Sequence, residues 1–277
     1  MILPSLIILN LLIIYPLIQA FYLSLTNQRI GVPGAFVGFK NYVELLKQDI
    51  FLKTLMNSGL YVSVSLALKT IFGLLLALIL NSLPRGRALF RAIVLLPWVV
   101  PASMSVLVWQ WMFDPTFSVL NWILVHVGLN RINWLGNPFW AKVSVITINV
   151  WRGIPFFAIA LGAGLVAIPK ELYESASIDG AGIWVRFSRI TLPLLRPVLG
   201  IVVLYSLVMT LADFEIVYIL TRGGPMQSTH LLGTLSYQIG LAGTKISLGA
   251  AISLFLFPIL LFSALFALRI ILRYEEL

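Results

Sequence analysis

Cysteine is absent from this sequence, and with it go disulfides, thiolate metal sites and cysteine nucleophiles. Histidine is scarce: His126 and His230 lie far apart, and neither belongs to an H-E-x-x-H pattern. No G-x-x-x-x-G-K-S/T loop occurs, so the chain lacks that means of cradling the phosphates of ATP. Charge is also short. Only 10% of the 277 residues are charged, against roughly 25% in soluble domains.

What fills the chain instead is apolar. Hydrophobic residues make up 60% of it and the mean hydropathy is +1.00. A soluble globule of this composition has too few polar groups to cover its surface. A spanning helix takes about 20 apolar residues, so six spans occupy roughly half of such a chain. The composition therefore describes an all-α polytopic membrane protein. The net charge of +9 fits basic loops facing anionic lipid better than a nucleic-acid surface.

Hydropathy marks six apolar runs, at 2–25, 55–80, 92–113, 141–166, 198–220 and 246–272, within a single transmembrane domain over 1–277. The first has no basic leader and no clear A-x-A cleavage site, so it reads as a retained helix rather than a signal peptide. Six spans put both termini on one side. With the termini inside, inner segments 81–91, 167–197 and 273–277 hold eight basic residues in 47 positions: Arg85, Arg87, Arg91, Lys170, Arg186, Arg189, Arg196 and Arg273. Outer segments 26–54, 114–140 and 221–245 hold seven in 81. The positive-inside rule favours cytoplasmic termini. Trp109, Trp111, Trp122, Trp134 and Trp140 cluster near the second outer loop, as an interfacial aromatic belt would. The longest outer stretch, 26–54, is glycine-rich and ends in an amphipathic piece from Asn41 to Lys53, read as a short surface helix.

The inner segment 169–197 carries the most information. Pro169 suits the first turn of a helix, with Glu171 and Glu174 near the positive end of its dipole. Leu172, Tyr173 and Ala176 form a short apolar face. Asp179-Gly180-Ala181-Gly182 permits a sharp turn, and a second short helix through Ile183, Trp184 and Phe187 is expected to end at Pro193 and Pro197. Two short helices at a glycine elbow make a knob suited to a partner's groove. A helical loop resting on lipid headgroups is the other reading of the same residues.

Glu174-Ser175-Ala176, Asp179-Gly180-Ala181, then Phe187, Ile190, Leu192-Pro193 and Pro197 resemble the EAA loop of ABC importer permeases. The family pattern is E-A-A-x-x-D-G-A, a spacer, and F-x-x-I-x-L-P-x-x-x-P; Ser175 replaces an alanine, one small residue for another. The resemblance extends along nearly the whole chain. Phe36 to Tyr42 resembles an outer F-x-G-x-x-N-Y stretch of sugar-permease first subunits. Trp151-Arg152-Gly153-Ile154-Pro155-Phe156 resembles their fourth-span signature, and Leu220 to Pro225 their L-T-x-G-G-P stretch. The class is that of maltose-type carbohydrate importers, here without the extra outer domain and amino-terminal spans that some members carry.

That resemblance implies a type I ABC importer permease fold in the cytoplasmic (inner) membrane of a bacterium or archaeon. It implies a second, homologous permease, a dimeric cytoplasmic ATPase holding ATP and magnesium, and an external solute-binding protein. This chain would then hold no cofactor and have no ATPase site of its own. Glu174, Ser175, Ala176, Asp179, Gly180, Ala181, Phe187, Leu192 and Pro193 would form the contact with the ATPase.

Four ionisable residues fall inside the runs: Lys69, Arg152, Asp213 and Glu215. Each costs about 2.5–3.5 kcal/mol at the bilayer centre unless it has a pathway, a partner or an interface. Lys69 has a stem long enough to snorkel. Arg152 lies roughly 16 Å into the fourth run and Glu215 on the order of 8 Å into the fifth, at 1.5 Å per residue, so Arg152 is expected to pair with Glu215 or Asp213. Asn149, Trp151, Arg152, Glu215 and Tyr218 offer the aromatic faces and polar groups that recognise sugars, and Pro97 and Pro155 would free carbonyls nearby. A sugar is the expected cargo, with glycerol phosphate or a glycosylated polyol as alternatives. A secondary transporter fits less well, having only two intramembrane acids. An intramembrane enzyme, without cysteines or paired histidines, fits worse still.

Overall fold

The computed structural model describes residues 7–83 and 86–275. Residues 2–6 of the first apolar run, and Arg85 of the inner basic set, lie outside the described residues, as do the side chains of Arg87 and Arg273. The chain is helical, with only the bridge pairs Thr26–Phe36 and Arg29–Val32 of extended pairing among the described residues. Five helices are long and apolar enough to cross a membrane: α1 (Ile7–Ser24), α3 (Asp49–Ser82), α7 (Pro138–Val166), α9 (Ile183–Leu211) and α12 (counted over Ile246–Ser263, with a kink at Phe255). A bent pair, α4 (Arg87–Val99) and α5 (Ala102–Met112), supplies a sixth crossing if counted as one span. The shorter helices are α2 (Lys40–Leu46), α6 (Val119–His126), α8 (Lys170–Ile178), α10 (Glu215–Leu220) and α11 (Leu232–Tyr237).

Three of these elements differ from the hydropathy reading. The third run is not one rod. It breaks at Val100–Pro101, where the two helix axes meet at 89°, because Pro101 brings no N–H and holds the residue before it extended. The fifth run ends at Leu211, and α10 begins only after the break at Ala212–Phe214. Its start also moves: Pro193 and Pro197 do not end the second knob helix, which runs unbroken into the span. A π-helical turn at Phe187–Thr191 precedes Pro193, and such local adjustments accommodate the missing amide of a proline. Finally, the piece from Asn41 to Lys53 divides, its second half opening the 34-residue helix α3. At 1.5 Å per residue α3 is about 51 Å long, well beyond a hydrocarbon layer of roughly 30 Å.

The core is built on α3 and α7, the most extensive helix pair. Asn137 caps α7 by accepting from the amides of Phe139 and Trp140, and Pro138 occupies its first turn. One half of the interface buries Tyr61, Val145, Ile148, Val217 and Leu220; the other buries Ala77, Phe157, Leu161 and Leu195. Gly73 lets the two helices approach, since a Cβ there would stand 2.3 Å from the Phe157 Cβ. Gly73→Leu should therefore cost several kcal/mol through overpacking, where about 1–3 kcal/mol is usual for a methylene or two. The yield of monodisperse subunit after detergent extraction checks this; an undiminished yield would place the helix contact elsewhere.

The face that carries α2 is tied down by side chains. Asn41 donates to the Ser24 and Thr26 carbonyls, both at 2.7 Å, and the Thr26 and Ser247 hydroxyls meet at 2.8 Å. The asparagine of the F-x-G-x-x-N-Y stretch thus pins the end of α1 to α2 and α12. The tryptophans expected to form one belt split into two groups. Trp111 and Trp122 are exposed, whereas Trp109 packs on Phe113 and Trp151, and Trp134 on Trp140.

Candidate functional site: an intramembrane cavity and a helical knob

A cavity of about 560 Å³ opens between α3, α4, α7 and the break after α9. Its apolar wall holds Trp98, Phe156, Tyr205 and Phe214; its polar wall holds Lys69, Asn149, Arg152, Thr210, Asp213 and Glu215. Three of the rings form a connected series: Trp98 stacks on Phe156 at 6.2 Å between centroids, and Phe156 meets Tyr205 at 4.8 Å. Of the five residues expected along a cargo path, Asn149, Arg152 and Glu215 line this space. Trp151 does not; it turns its ring edge to Trp109, 5.6 Å away. Tyr218 does not either, stacking on Phe214 at 4.8 Å and meeting Tyr237 at 5.1 Å.

The charged residues arrange themselves otherwise than the run depths suggest. Lys69 does not snorkel. It is 3% exposed and donates to Thr210 Oγ1 at 2.7 Å. Its stem lies over Gly153, where a Cβ would come within 2.2 Å of the lysine Cδ, so the glycine of the W-R-G-I-P-F stretch makes room for a lysine on α3. Arg152 turns to backbone instead of a carboxylate: its Nη1 donates to the Val100 carbonyl at 2.9 Å and to Ser105 Oγ at 2.8 Å. Asp213, read from sequence as an alternative partner of Arg152 and not as a cargo-path residue, is the hub. It accepts from Tyr61, from Asn149 Nδ2 at 2.9 Å and from the Ile216 amide at 3.4 Å, and it attracts the Lys69 ammonium. The remaining Asn149 oxygen accepts no hydrogen bond among the described residues. The atom is buried, so it is an unsatisfied polar group beneath the cavity wall, one of the few such atoms a folded chain tolerates.

The knob takes the shape its motif predicts. Helix α8 ends at Asp179; Gly180 follows at φ +78°, and the Ala181 and Gly180 amides return to the Ala176 and Ser177 carbonyls at 2.8 and 3.2 Å. This is the Schellman ending that asks for glycine. Tyr173 and Ala176 are half-buried, and the Tyr173 hydroxyl meets Thr191 Oγ1 at 2.9 Å, anchoring α8 to α9. Arg186 donates to Ser177 Oγ at 2.8 Å across the elbow. Glu174 lies mid-helix and exposed, while Glu171 takes the first turn. Ser175 turns its hydroxyl back to the Glu171 carbonyl. Phe187, Leu192 and Pro193 are half-buried at the root. Beside the exposed polar residues of α8 the elbow presents large apolar ones: Ile178, Ile183 and Trp184 are 87%, 81% and 75% exposed.

On the opposite face the L-T-x-G-G-P stretch forms a tight loop. The Thr221 and Thr229 hydroxyls meet at 2.7 Å, Thr229 donates to the Gly224 carbonyl, and Gly223 at φ +88° sits over the buried His230 ring, where a Cβ would be 2.1 Å from it. The motif is thus a packing requirement of the loop itself.

Comparison with known proteins agrees with this architecture. The trehalose/maltose transport system permease protein MalF of Thermococcus litoralis is 40% identical over 262 residues, which cover 94% of this chain and 88% of that one. A bacterial ABC transporter involved in the import of the acidic polysaccharide alginate superposes with a TM-score of 0.84 at 27% identity, over 99% of this chain and 94% of that chain. The same kind of transporter, in complex with a periplasmic protein bound to alginate pentasaccharide, superposes with a TM-score of 0.82 at 27% identity, over 96% and 91% of the two chains. The fold is that of a type I ABC importer permease. A family model described as the inner membrane component of binding-protein-dependent transport systems matches residues 69–274, and the chain belongs to that family.

Proposed function

We propose that this chain is one of two permease subunits of an ABC importer whose cargo is an uncharged sugar or glycoside, and that the 560 Å³ cavity holds the cargo in passage. The observation that carries the reading is the pairing, in one cavity, of a ring series with polar and charged side chains. Sugars present C–H faces that stack on aromatic rings and hydroxyls that donate and accept. Asn149, Arg152 and Glu215 bring an amide, a guanidinium and a carboxylate to the cavity lining. Two cations and two carboxylates line the cavity, which leaves it formally neutral and favours a neutral glycoside over glycerol phosphate. The trehalose/maltose named for one relative supports an uncharged sugar, while alginate, named for another, is an acidic polysaccharide and supports carbohydrate cargo alone.

In this reading ATP is bound and hydrolysed by a partner ATPase that receives the knob, because the chain has no phosphate loop of its own. The knob face, with both termini, lies in the cytoplasm, and the face carrying α2 and the 221–231 loop meets a solute-binding protein. The complex reconstituted from the two permeases, the ATPase and the binding protein should take up maltose-like disaccharides and should not take up glycerol phosphate. Uptake of the phosphate alone would overturn the cargo assignment. Phe156 joins Trp98 to Tyr205, so Phe156→Ala should raise the KM of uptake about tenfold, the equivalent of roughly 1.4 kcal/mol of lost stacking and burial. An unchanged KM would take the rings off the cargo path.

A further inference from the structure

The third span is broken where the cavity has its wall. Helix α4 ends at Val99 and α5 begins at Ala102. In an unbroken helix the Val100 carbonyl would accept from the amide four residues on; at the elbow that partner is lost. The carbonyl accepts instead from Arg152 Nη1 at 2.9 Å, and the same nitrogen donates to Ser105 Oγ, 3% exposed and on the first turn of α5, at 2.8 Å. One guanidinium nitrogen on α7 therefore bridges the elbow and the helix that follows it, with both its hydrogens committed. Backbone freed inside a membrane must find such a partner.

Two residues before the elbow carbonyl, Trp98 lines the cavity and stacks on Phe156. Arg152 and Phe156 are four apart on α7 and so share a face. The helix thus holds the cavity wall at two points, by a ring under Trp98 and by a cation on the carbonyl beyond it.

We infer that Arg152 is a positioning residue: it fixes the elbow of the broken span, and with it the Trp98 wall, and acts on cargo through that wall. The inference rests on the cavity being the cargo site. It assigns Arg152 a task different from pairing with an intramembrane carboxylate.

Because the chain has no cysteine, two labels can be introduced cleanly in this subunit, by Val99→Cys beside the elbow and Phe139→Cys at the exposed start of α7, before it is assembled with the other subunits. Pulsed electron spin resonance should give one narrow distance in the otherwise unaltered chain. Arg152→Leu should broaden that distribution and raise the KM of sugar uptake at least fivefold, with the maximal rate falling less than twofold. Ser105→Ala removes one acceptor and leaves the cation in place, so it should shift both readouts in the same direction by less. Arg152→Lys keeps a single charged donor and should fall between. A raised KM with an unbroadened distance would mean that Arg152 touches the cargo itself and would overturn the inference, as would no change in either readout. Failure of the cargo assignment is distinguishable: the unaltered importer would then carry no sugar, while the distance measurement would still decide whether Arg152 holds the elbow.

Discussion

Asp213→Ala should cut the yield of folded subunit to a tenth or less and abolish uptake, and adding Lys69→Met should restore the yield but not the uptake. Asp213 satisfies Tyr61, Asn149 and the Ile216 amide at once and is the carboxylate that attracts Lys69. Removing it leaves a 3% exposed lysine with Thr210 as its hydrogen-bonding acceptor and orphans the Tyr61 hydroxyl in a core position. Lys69 donates to Thr210 rather than to Asp213, so the loss is that of a charge compensated at a distance. It approaches the cost of a buried pair broken from one side, about 3–5 kcal/mol, out of the roughly 5–15 kcal/mol by which folded domains are stable. Methionine has nearly the length of the lysine stem and no charge, so it should relieve the uncompensated cation while keeping the packing over Gly153. Uptake should stay lost, because Asp213 also fixes the break after α9, from which Phe214 and Glu215 enter the cavity. Size-exclusion profiles and sugar uptake in membranes separate the two effects. A normal yield for Asp213→Ala alone would mean that the lysine does not depend on this carboxylate.

The difference between what could and could not be read from the sequence lies in the range of the interactions. The knob was legible because its determinants are local: a helix, a glycine at φ +78° and a hydrophobic restart within about a dozen residues. The burial of Lys69 was not, since its partner Thr210 is 141 positions away and a hydropathy window averages one lysine into a long apolar run. Asp213 was visible as an intramembrane charge but was given the wrong partner for the same reason: its hydrogen-bond donors Tyr61 and Asn149 come from α3 and α7. The broken third span was hidden because an apolar run stays apolar through Pro97 and Pro101. Composition encodes crossing length, and the 89° bend depends on which of two prolines is tolerated. In α9 the opposite holds: Pro193 and Pro197 look like terminators, yet a π-helical turn and surrounding helices let the span run on.

Gly180→Asp should leave insertion and yield intact while lowering both recovery of the partner ATPase and sugar uptake at least tenfold. Gly180 has φ +78°, and nothing lies within 4 Å of the place where its Cβ would be. The substitution therefore meets no atom of this chain. Its cost to folding is the left-handed backbone, roughly 1–2 kcal/mol for an ordinary residue and less for aspartate, whose side chain is among the better tolerated there. The new carboxylate projects into open space beside Ile178 and Ile183, in the surface expected to enter a partner's groove, where an unpaired charge is costly to desolvate. Trp184→Ala tests the same surface without backbone strain: the ring is 75% exposed, and loss of a central interface tryptophan typically costs at least 2 kcal/mol of binding, more than tenfold in affinity. Gly128 supplies the control, with φ +81° and the same open space at its Cβ on the opposite face; Gly128→Asp should leave ATPase recovery unchanged. If Gly180→Asp and Trp184→Ala both retain ATPase recovery and coupled uptake at matched expression, the knob rests on lipid and coupling passes through another surface. If Gly128→Asp fails as badly as Gly180→Asp, backbone strain rather than partner docking explains the loss.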